Sequence, residues 1–175
     1  MVKTIQKNNF SLRHGDLFDN ITSYINQGHN GCSVLIPHVC NNINAFGAGF
    51  AGAVSRHFPI AKENYHLLGK QNVLGYVQFV EVAKNKDYNH KIIIANMIAQ
   101  NGTISKNNPR PLNYYALVKC MANVNNYCLQ NFDNENKVQI HCPKFGCGLA
   151  GGNWNFIQDL IADIWKNLPV FVYQL

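Results

Sequence analysis

A glycine-rich stretch at residues 143–153 lies between an apolar run that ends at Cys142 and an amphipathic helical pattern. A strand that leads through such a loop into a helix gathers free backbone N–H groups, and the positive end of the helix dipole, around one concave spot. Glycine permits positive φ, and its missing Cβ lets several N–H groups approach one anion. The stretch predicts a phosphate-binding loop; a tight turn without a ligand is the alternative. The residues assigned to it are Lys144, Phe145, Gly146, Cys147, Gly148, Leu149 and Ala150.

A second glycine-rich loop, at residues 41–52, also follows an apolar run. Two strand–glycine–helix units suggest one ligand with two anionic or polar parts, held at the carboxyl ends of neighbouring strands. Neither loop contains the Walker pattern, and the weak GxGxxG match at residues 47–52 lacks an acidic residue at the expected distance. The candidate binding residues here are Phe46, Gly47, Ala48, Gly49 and Phe50.

These motifs resemble those of the macrodomains, a family that binds ADP-ribose. His14-Gly15-Asp16-Leu17 is similar to the family's early Gly-Asp-hydrophobic motif, residues 41–52 resemble its ribose-facing loop, and Phe145-Gly146-Cys147-Gly148-Leu149 resembles its diphosphate loop. The resemblance covers nearly the whole chain. Within the family, it is greatest to the terminal ADP-ribose hydrolases and the ADP-ribose 1″-phosphate phosphatases.

The resemblance implies roles for residues outside the two loops. It implies that Asp16 and Leu17 contact the adenine, with the Asp16 carboxylate accepting a hydrogen bond from the amino group; an ordinary helix N-cap is the alternative for Asp16. Tyr173 is expected on or near the adenine, or else in the core with its hydroxyl facing solvent. The expected partners are ADP-ribose or ADP-ribosylated protein or nucleic acid, without a cofactor or a metal.

Catalysis is the point at which the chain departs from the family. The resemblance implies that a lysine and an aspartate carry out hydrolysis. Ala150 stands at the aspartate position, and the segment expected to supply the lysine, residues 96–100, offers none before Lys106.

Other polar side chains are candidates to take part in a reaction. Asn41 and Asn42 are the catalytic candidates, because they could orient ribose hydroxyls or a water, although an amide cannot take up a proton at neutral pH. His38 could take one up, and a packed histidine is its alternative role. A Cys147 thiolate is a further hypothesis, set against a small side chain that fills space beneath its loop. Three functions remain open: a hydrolase of ADP-ribose derivatives, a non-catalytic ADP-ribose reader, and a nucleic-acid-binding domain favoured by charge alone.

Composition bounds these functions. The 175 residues, 47% hydrophobic, predict one domain over residues 1–175 with its own core. The net charge of +6 favours an anionic partner, yet lysine and arginine are scattered along the chain. Cysteines within apolar runs and the lack of a secretion signal predict a cytoplasmic protein without disulfides, and no apolar run approaches the length of a membrane span. A monomer is expected.

Apolar periodicity supplies the elements that position the loops. The expected fold class is α/β, a three-layer α/β/α macrodomain-like fold with a central mixed sheet of about six strands. Residues 98–111 predict an irregular rim or lid, with Asn96, Gln100 and Asn101 as candidates to face the ligand; a solvated surface loop is the alternative. The predicted strands are residues 2–6, 10–14, 33–39, 74–82, 91–97, 138–142 and 170–173. The first predicted helix begins at Asp16 and ends at Gly28. The other predicted helices cover residues 51–58, 61–68 and about 112–129, and a last one has its apolar positions within residues 157–165.

Overall fold

A computed structural model describes residues 10–174, so the strand predicted at residues 2–6 lies outside the described part of the chain. The described strands form one mixed sheet in the order β1-β6-β5-β2-β4-β3, in which only the edge pair of β3 with β4 is antiparallel. The strands are β1 (Phe10–His14), β2 (Ser33–Asn41), β3 (Val77–Lys84), β4 (Lys91–Gln100), β5 (Val138–Pro143) and β6 (Val170–Gln174).

Helices cover both faces of this sheet, and each face has its own apolar core. The central strands β2 and β4 are buried along most of their length, as expected for strands covered on both sides. The predicted α/β/α architecture is therefore confirmed. One face carries α1 (Leu17–Ile25), α2 (Gly49–His57) and α3 (Pro59–His66), and the other carries α4 (Tyr114–Asn131) and α5 (Trp154–Ile164).

Side-chain caps fix where three of these helices begin. Asp16, Asn113 and Asn153 each accept a hydrogen bond from a backbone N–H in the first turn of α1, α4 and α5. Pro59 ends α2 and opens α3, since it lacks the N–H that would continue one helix and suits the first turn of the next. The caps hold the loops that precede α1 and α5 in place.

Several predicted boundaries were wrong. β4 continues to Gln100, because Ile98 and Gln100 pair with Cys40 and Asn41 of β2, and Ile98 and Ala99 are buried. The segment that follows is also less irregular than expected, with bridges between Gln100 and Leu112 and between Ser105 and Asn108. The first helix ends at Ile25, before Gly28, which opens a 3-10 turn with φ of 61°. None of the helices within residues 10–174 is long and apolar enough to cross a membrane.

Candidate functional site

The two glycine-rich loops lie side by side, because β2 and β5, the strands that lead into them, are parallel neighbours. Their carboxyl ends meet at one edge of the sheet, and a cavity of about 440 Å³ opens there. Residues of both loops line it. The first loop contributes Asn41, Ala45, Phe46, Gly47, Ala48, Gly49, Phe50 and Ala51, and the second contributes Pro143, Lys144, Phe145, Gly146, Gly148, Leu149 and Ala150.

A smaller cavity of about 280 Å³ adjoins the first. The two cavities share Phe50, Pro143 and Lys144 as lining residues, so a ligand could extend from one into the other. Both residues predicted from the Gly-Asp-hydrophobic motif, Asp16 and Leu17, line the smaller cavity. Its other lining residues are Gly15, Phe18, Ala53, Tyr173 and Gln174.

Two of the loop glycines face open space. A β-carbon added at Gly47 or Gly148 would meet nothing within 4 Å, although both residues line the larger cavity. Gly152 differs, since a β-carbon there would meet Leu112 and the Gly146 carbonyl at 2.4 and 2.5 Å. Gly152 is therefore required by packing, whereas Gly47 and Gly148 leave room that a ligand could fill.

Asn41 holds the first loop in shape. Its Oδ1 accepts hydrogen bonds from the N–H groups of Ile43 and Ala45 and from the Tyr65 hydroxyl, and its Nδ2 donates to the Ala45 carbonyl. Asn42 does not line either cavity; its side chain bonds Asn101 and the Gly102 N–H instead. The side-chain groups of both catalytic candidates are thus engaged in holding loops.

Tyr173 lines the smaller cavity as a buried residue, 5% exposed. Its hydroxyl lies 2.9 Å from Nδ1 of His141, whose Nε2 lies 3.1 Å from Oε1 of Gln139. Of the two predicted arrangements, the core position is therefore confirmed, but the expected solvent-facing hydroxyl is wrong. The buried His141 contact instead fixes the ring as one wall of the cavity.

The second loop uses Cys147 internally. The Cys147 thiol donates to the Lys144 carbonyl at 3.0 Å, and the residue lines neither cavity. Burial raises the pKa of this thiol, which disfavours the thiolate that a nucleophile would need. Space filling beneath the loop is the role that this geometry favours.

Charge within the larger cavity is sparse. None of its described lining residues is an aspartate or a glutamate, and Lys144 is its lysine. His38 lines its floor and is 1% exposed, and burial lowers the pKa of His38 to about 4, so the ring is neutral at pH 7. From the predicted rim, Gln100 lines this cavity together with Thr103 and Ile104, which sequence reasoning missed, whereas Asn101 does not.

Three cationic side chains lie over aromatic rings near the second loop and along α4. The charged groups of Arg110 and Lys119 lie 4.8 and 5.6 Å from the ring centroids of Tyr114 and Tyr115, and Lys144 Nζ lies 5.9 Å from Trp154. The Tyr114 hydroxyl also accepts from the Asn153 N–H at 2.7 Å, which ties α4 to this loop. Charges that are scattered in sequence are thus paired with aromatic rings in the fold.

No family model matches the chain. An uncharacterised 17.5 kDa protein from the tk-vs intergenic region of Enterobacteria phage T4 is 26% identical over 141 residues, which cover 78% of this chain and 83% of the phage protein. A solved structure of a protein of unknown function from Bacteroides thetaiotaomicron is 30% identical, with a TM-score of 0.75 and coverage of 95% of this chain and 98% of that one.

Two further solved structures carry a class name. A macrodomain protein from Streptomyces coelicolor is 29% identical with a TM-score of 0.69 and covers 95% of this chain and 99% of its own. DarTG from Thermosipho africanus, solved in complex with ADP-ribose, is 15% identical with a TM-score of 0.69. The match covers 94% of this chain and 41% of the DarTG chain. The chain described here has the macrodomain fold.

Proposed function

We propose that the protein binds ADP-ribose across the two adjoining cavities. The observation that carries the proposal is that two glycine-rich loops and the Asp16 motif, separate in sequence, line two cavities that share three lining residues. Its lining combines apolar walls with a few polar groups, as is typical of small-molecule sites. The macrodomain fold and the ADP-ribose complex of a structural neighbour support the same ligand.

The chemistry of each region orients the ligand. The adenine fits the smaller cavity, where the exposed Asp16 carboxylate can accept from the exocyclic amino group and the Tyr173 ring forms a wall. The diphosphate fits the loop at residues 146–150, beside Lys144, because backbone N–H groups and a cation suit its charge. The outer ribose then lies under the first loop, near Phe46 and Gly47.

A second candidate function is hydrolysis of an ADP-ribose derivative. The observation that favours it is the position of Thr103 and Ile104, which are exposed at the rim of the larger cavity, so that an attached group and water can reach the outer ribose. Without a carboxylate base in that cavity, a water positioned by the ligand's own phosphate would attack the anomeric carbon as the bond to the attached group breaks. The departing group must then leave as a stable anion, such as a carboxylate or a phosphate, and the proton lost by the attacking water passes to solvent.

Calorimetry with ADP-ribose, ADP and AMP tests the binding proposal. We expect a micromolar dissociation constant for ADP-ribose, on the order of −7 to −8 kcal/mol, and weaker binding of the truncated ligands. Undetectable ADP-ribose binding would refute the proposal. Chromatography after incubation with ADP-ribosylated protein, ADP-ribosylated DNA and ADP-ribose 1″-phosphate tests hydrolysis, since a reader would release no ADP-ribose from any of them.

A further inference from the structure

A row of polar side chains crosses the sheet and ends at the larger cavity. Gln78 on β3 pairs with Asn96 on β4, and Asn96 pairs with His38 on β2. Asn96 and His38 are 0% and 1% exposed and lie among apolar neighbours. Buried polar groups of this kind are costly unless they bond each other or a ligand.

Main-chain carbonyls of α3 set the direction of every hydrogen bond in this row. The Asn96 amide nitrogen donates to the Ala61 carbonyl at 3.3 Å and to Gln78 Oε1 at 3.0 Å, and the Gln78 amide nitrogen donates to the Asn64 carbonyl at 2.9 Å. A carbonyl can only accept, so Asn96 Oδ1 must be the atom that lies 2.7 Å from His38 Nε2. His38 therefore carries its proton on Nε2, and the neutral ring leaves Nδ1 as a bare acceptor.

Within residues 10–174, this acceptor has only a weak neighbour. The Cys40 sulfur lies 3.8 Å from Nδ1 and 3.7 Å from Nε2. Because the two distances are nearly equal, the sulfur does not lie on the lone-pair axis of Nδ1, along which it would be far closer to one nitrogen than to the other. Phe46 and Phe50 are the aromatic neighbours of the same ring, with centroids 5.6 and 5.7 Å away. His38, a lining residue of the larger cavity, thus carries an acceptor whose lone pair meets no donor along its axis among the described residues.

We propose that His38 is a specificity-determining residue, whose Nδ1 accepts a hydrogen bond from a hydroxyl of the outer ribose. This inference rests on the proposed binding of ADP-ribose. A bare imidazole nitrogen needs a donor and repels phosphate oxygens, so the diphosphate is excluded. The donors of ADP-ribose are its amino group, placed at Asp16 in the other cavity, and its ribose hydroxyls. The outer ribose is the one assigned to the cavity that His38 lines.

Calorimetry with hydroxyl-deleted ligands tests this assignment. ADP-ribose is compared with analogues that lack the 2″- or the 3″-hydroxyl, against the wild type and His38→Phe. We expect the wild type to bind one of the two analogues about tenfold more weakly than ADP-ribose, a loss of ~1.4 kcal/mol in binding free energy. His38→Phe should bind that analogue and ADP-ribose equally. Phe46→Leu is the matched control, since it alters the same cavity and should weaken both ligands by one common factor.

A second measurement uses the wild type alone, because His38→Phe leaves Asn96 Oδ1 without its donor and could destabilise the fold. In ¹⁵N NMR of histidine-labelled protein, Nδ1 of His38 should appear unprotonated and should shift when ADP-ribose is added. If ADP-ribose binds but both analogues match it and the Nδ1 resonance does not move, the assignment is wrong. If ADP-ribose itself does not bind, the proposed function fails instead.

Discussion

Leu149 reaches across to Gly49, and its Cδ1 lies 3.4 Å from the position that a β-carbon on Gly49 would occupy. Leu149 belongs to the loop after β5 and Gly49 to the loop after β2, and both line the larger cavity. Gly49 has no β-carbon, so the distance places Leu149 of one glycine-rich loop beside Gly49 of the other, across the cavity that both line. A single ligand can therefore meet both loops at once.

Gly148→Val should abolish ADP-ribose binding and leave the fold intact. A β-carbon at this position would meet nothing within 4 Å in the protein, and a valine side chain would occupy space that we assign to the diphosphate. Calorimetry should detect no binding, while the thermal unfolding midpoint stays within a few degrees of the wild type. Lys84→Thr, exposed at the far end of β3, is the control and should bind normally. Unchanged affinity in the Gly148 variant would count against the assignment.

Asp16→Asn should separate the capping role of this side chain from its ligand contact. Asp16 Oδ1 accepts from the Phe18 N–H at 2.8 Å, and asparagine caps helices about as well as aspartate. We expect stability close to the wild type, with ADP-ribose bound about tenfold more weakly for want of a charged acceptor. Asp16→Ala should lose both the helix cap and the ligand contact, and loss of the cap should cost ~1 kcal/mol in unfolding free energy. Equal affinity of the asparagine variant and the wild type would refute the adenine contact.

Lys144→Met should weaken ADP-ribose binding and reduce its dependence on salt. Lys144 lines both cavities, so its charge lies beside the site proposed for the diphosphate, and methionine keeps an apolar stem against Trp154. Lys119→Met is a close match, because Lys119 also lies over an aromatic ring but lines neither cavity. Affinity is measured at low and at high salt. Both the affinity and its dependence on salt should differ from those of the wild type in Lys144→Met only. A similar loss in both would mean that overall charge, and no local contact, attracts the ligand.

The unfolding free energy should fall as pH drops from about 6.5 towards 4. Burial lowers the pKa of His38 to about 4 and that of His141 to about 3, from an ordinary value of 6.5. Between these pH values the two histidines are protonated in the unfolded chain but neutral in the folded chain. Their contribution to stability is therefore fully present above the unfolded pKa and is lost as pH falls towards the folded pKa. Each histidine contributes a slope of up to ~1.4 kcal/mol per pH unit.

Urea unfolding at several pH values measures this slope in the wild type and in His141→Gln. The variant should be less stable at pH 7, because the contacts of His141 with Tyr173 and Gln139 change. Its stability should nevertheless depend less steeply on pH. Parallel pH profiles for the two proteins would show that His141 does not titrate as its burial implies.

Much of the fold followed from local patterns in the sequence. The apolar run at residues 33–39 marks a buried strand, and Asp16 marks the start of α1 by chemistry that acts within a few residues. The glycines indicated both loops, because positive φ at Gly49 and Gly146 and open space at Gly148 are properties that glycine meets without strain. Parallel order at strand ends then placed the loops together.

What the sequence could not supply depends on register and on hydrogen-bond direction. The row of Gln78, Asn96 and His38 exists only once three strands are aligned, although a polar residue inside an apolar strand was the available signal. Asn41 was interpreted as a candidate to orient water, but its oxygen accepts three hydrogen bonds that shape its own loop. Bonds of that kind are invisible in a list of residue types.

A crystal structure of the protein with ADP-ribose tests the central claim most directly. It should show one nucleotide with its adenine beside Asp16, its diphosphate oxygens within hydrogen-bond distance of backbone N–H groups at residues 146–150, and its outer ribose beneath the loop that contains Gly47. Density for the nucleotide at one loop only, or outside both cavities, would contradict the proposal that the two loops hold a single ligand.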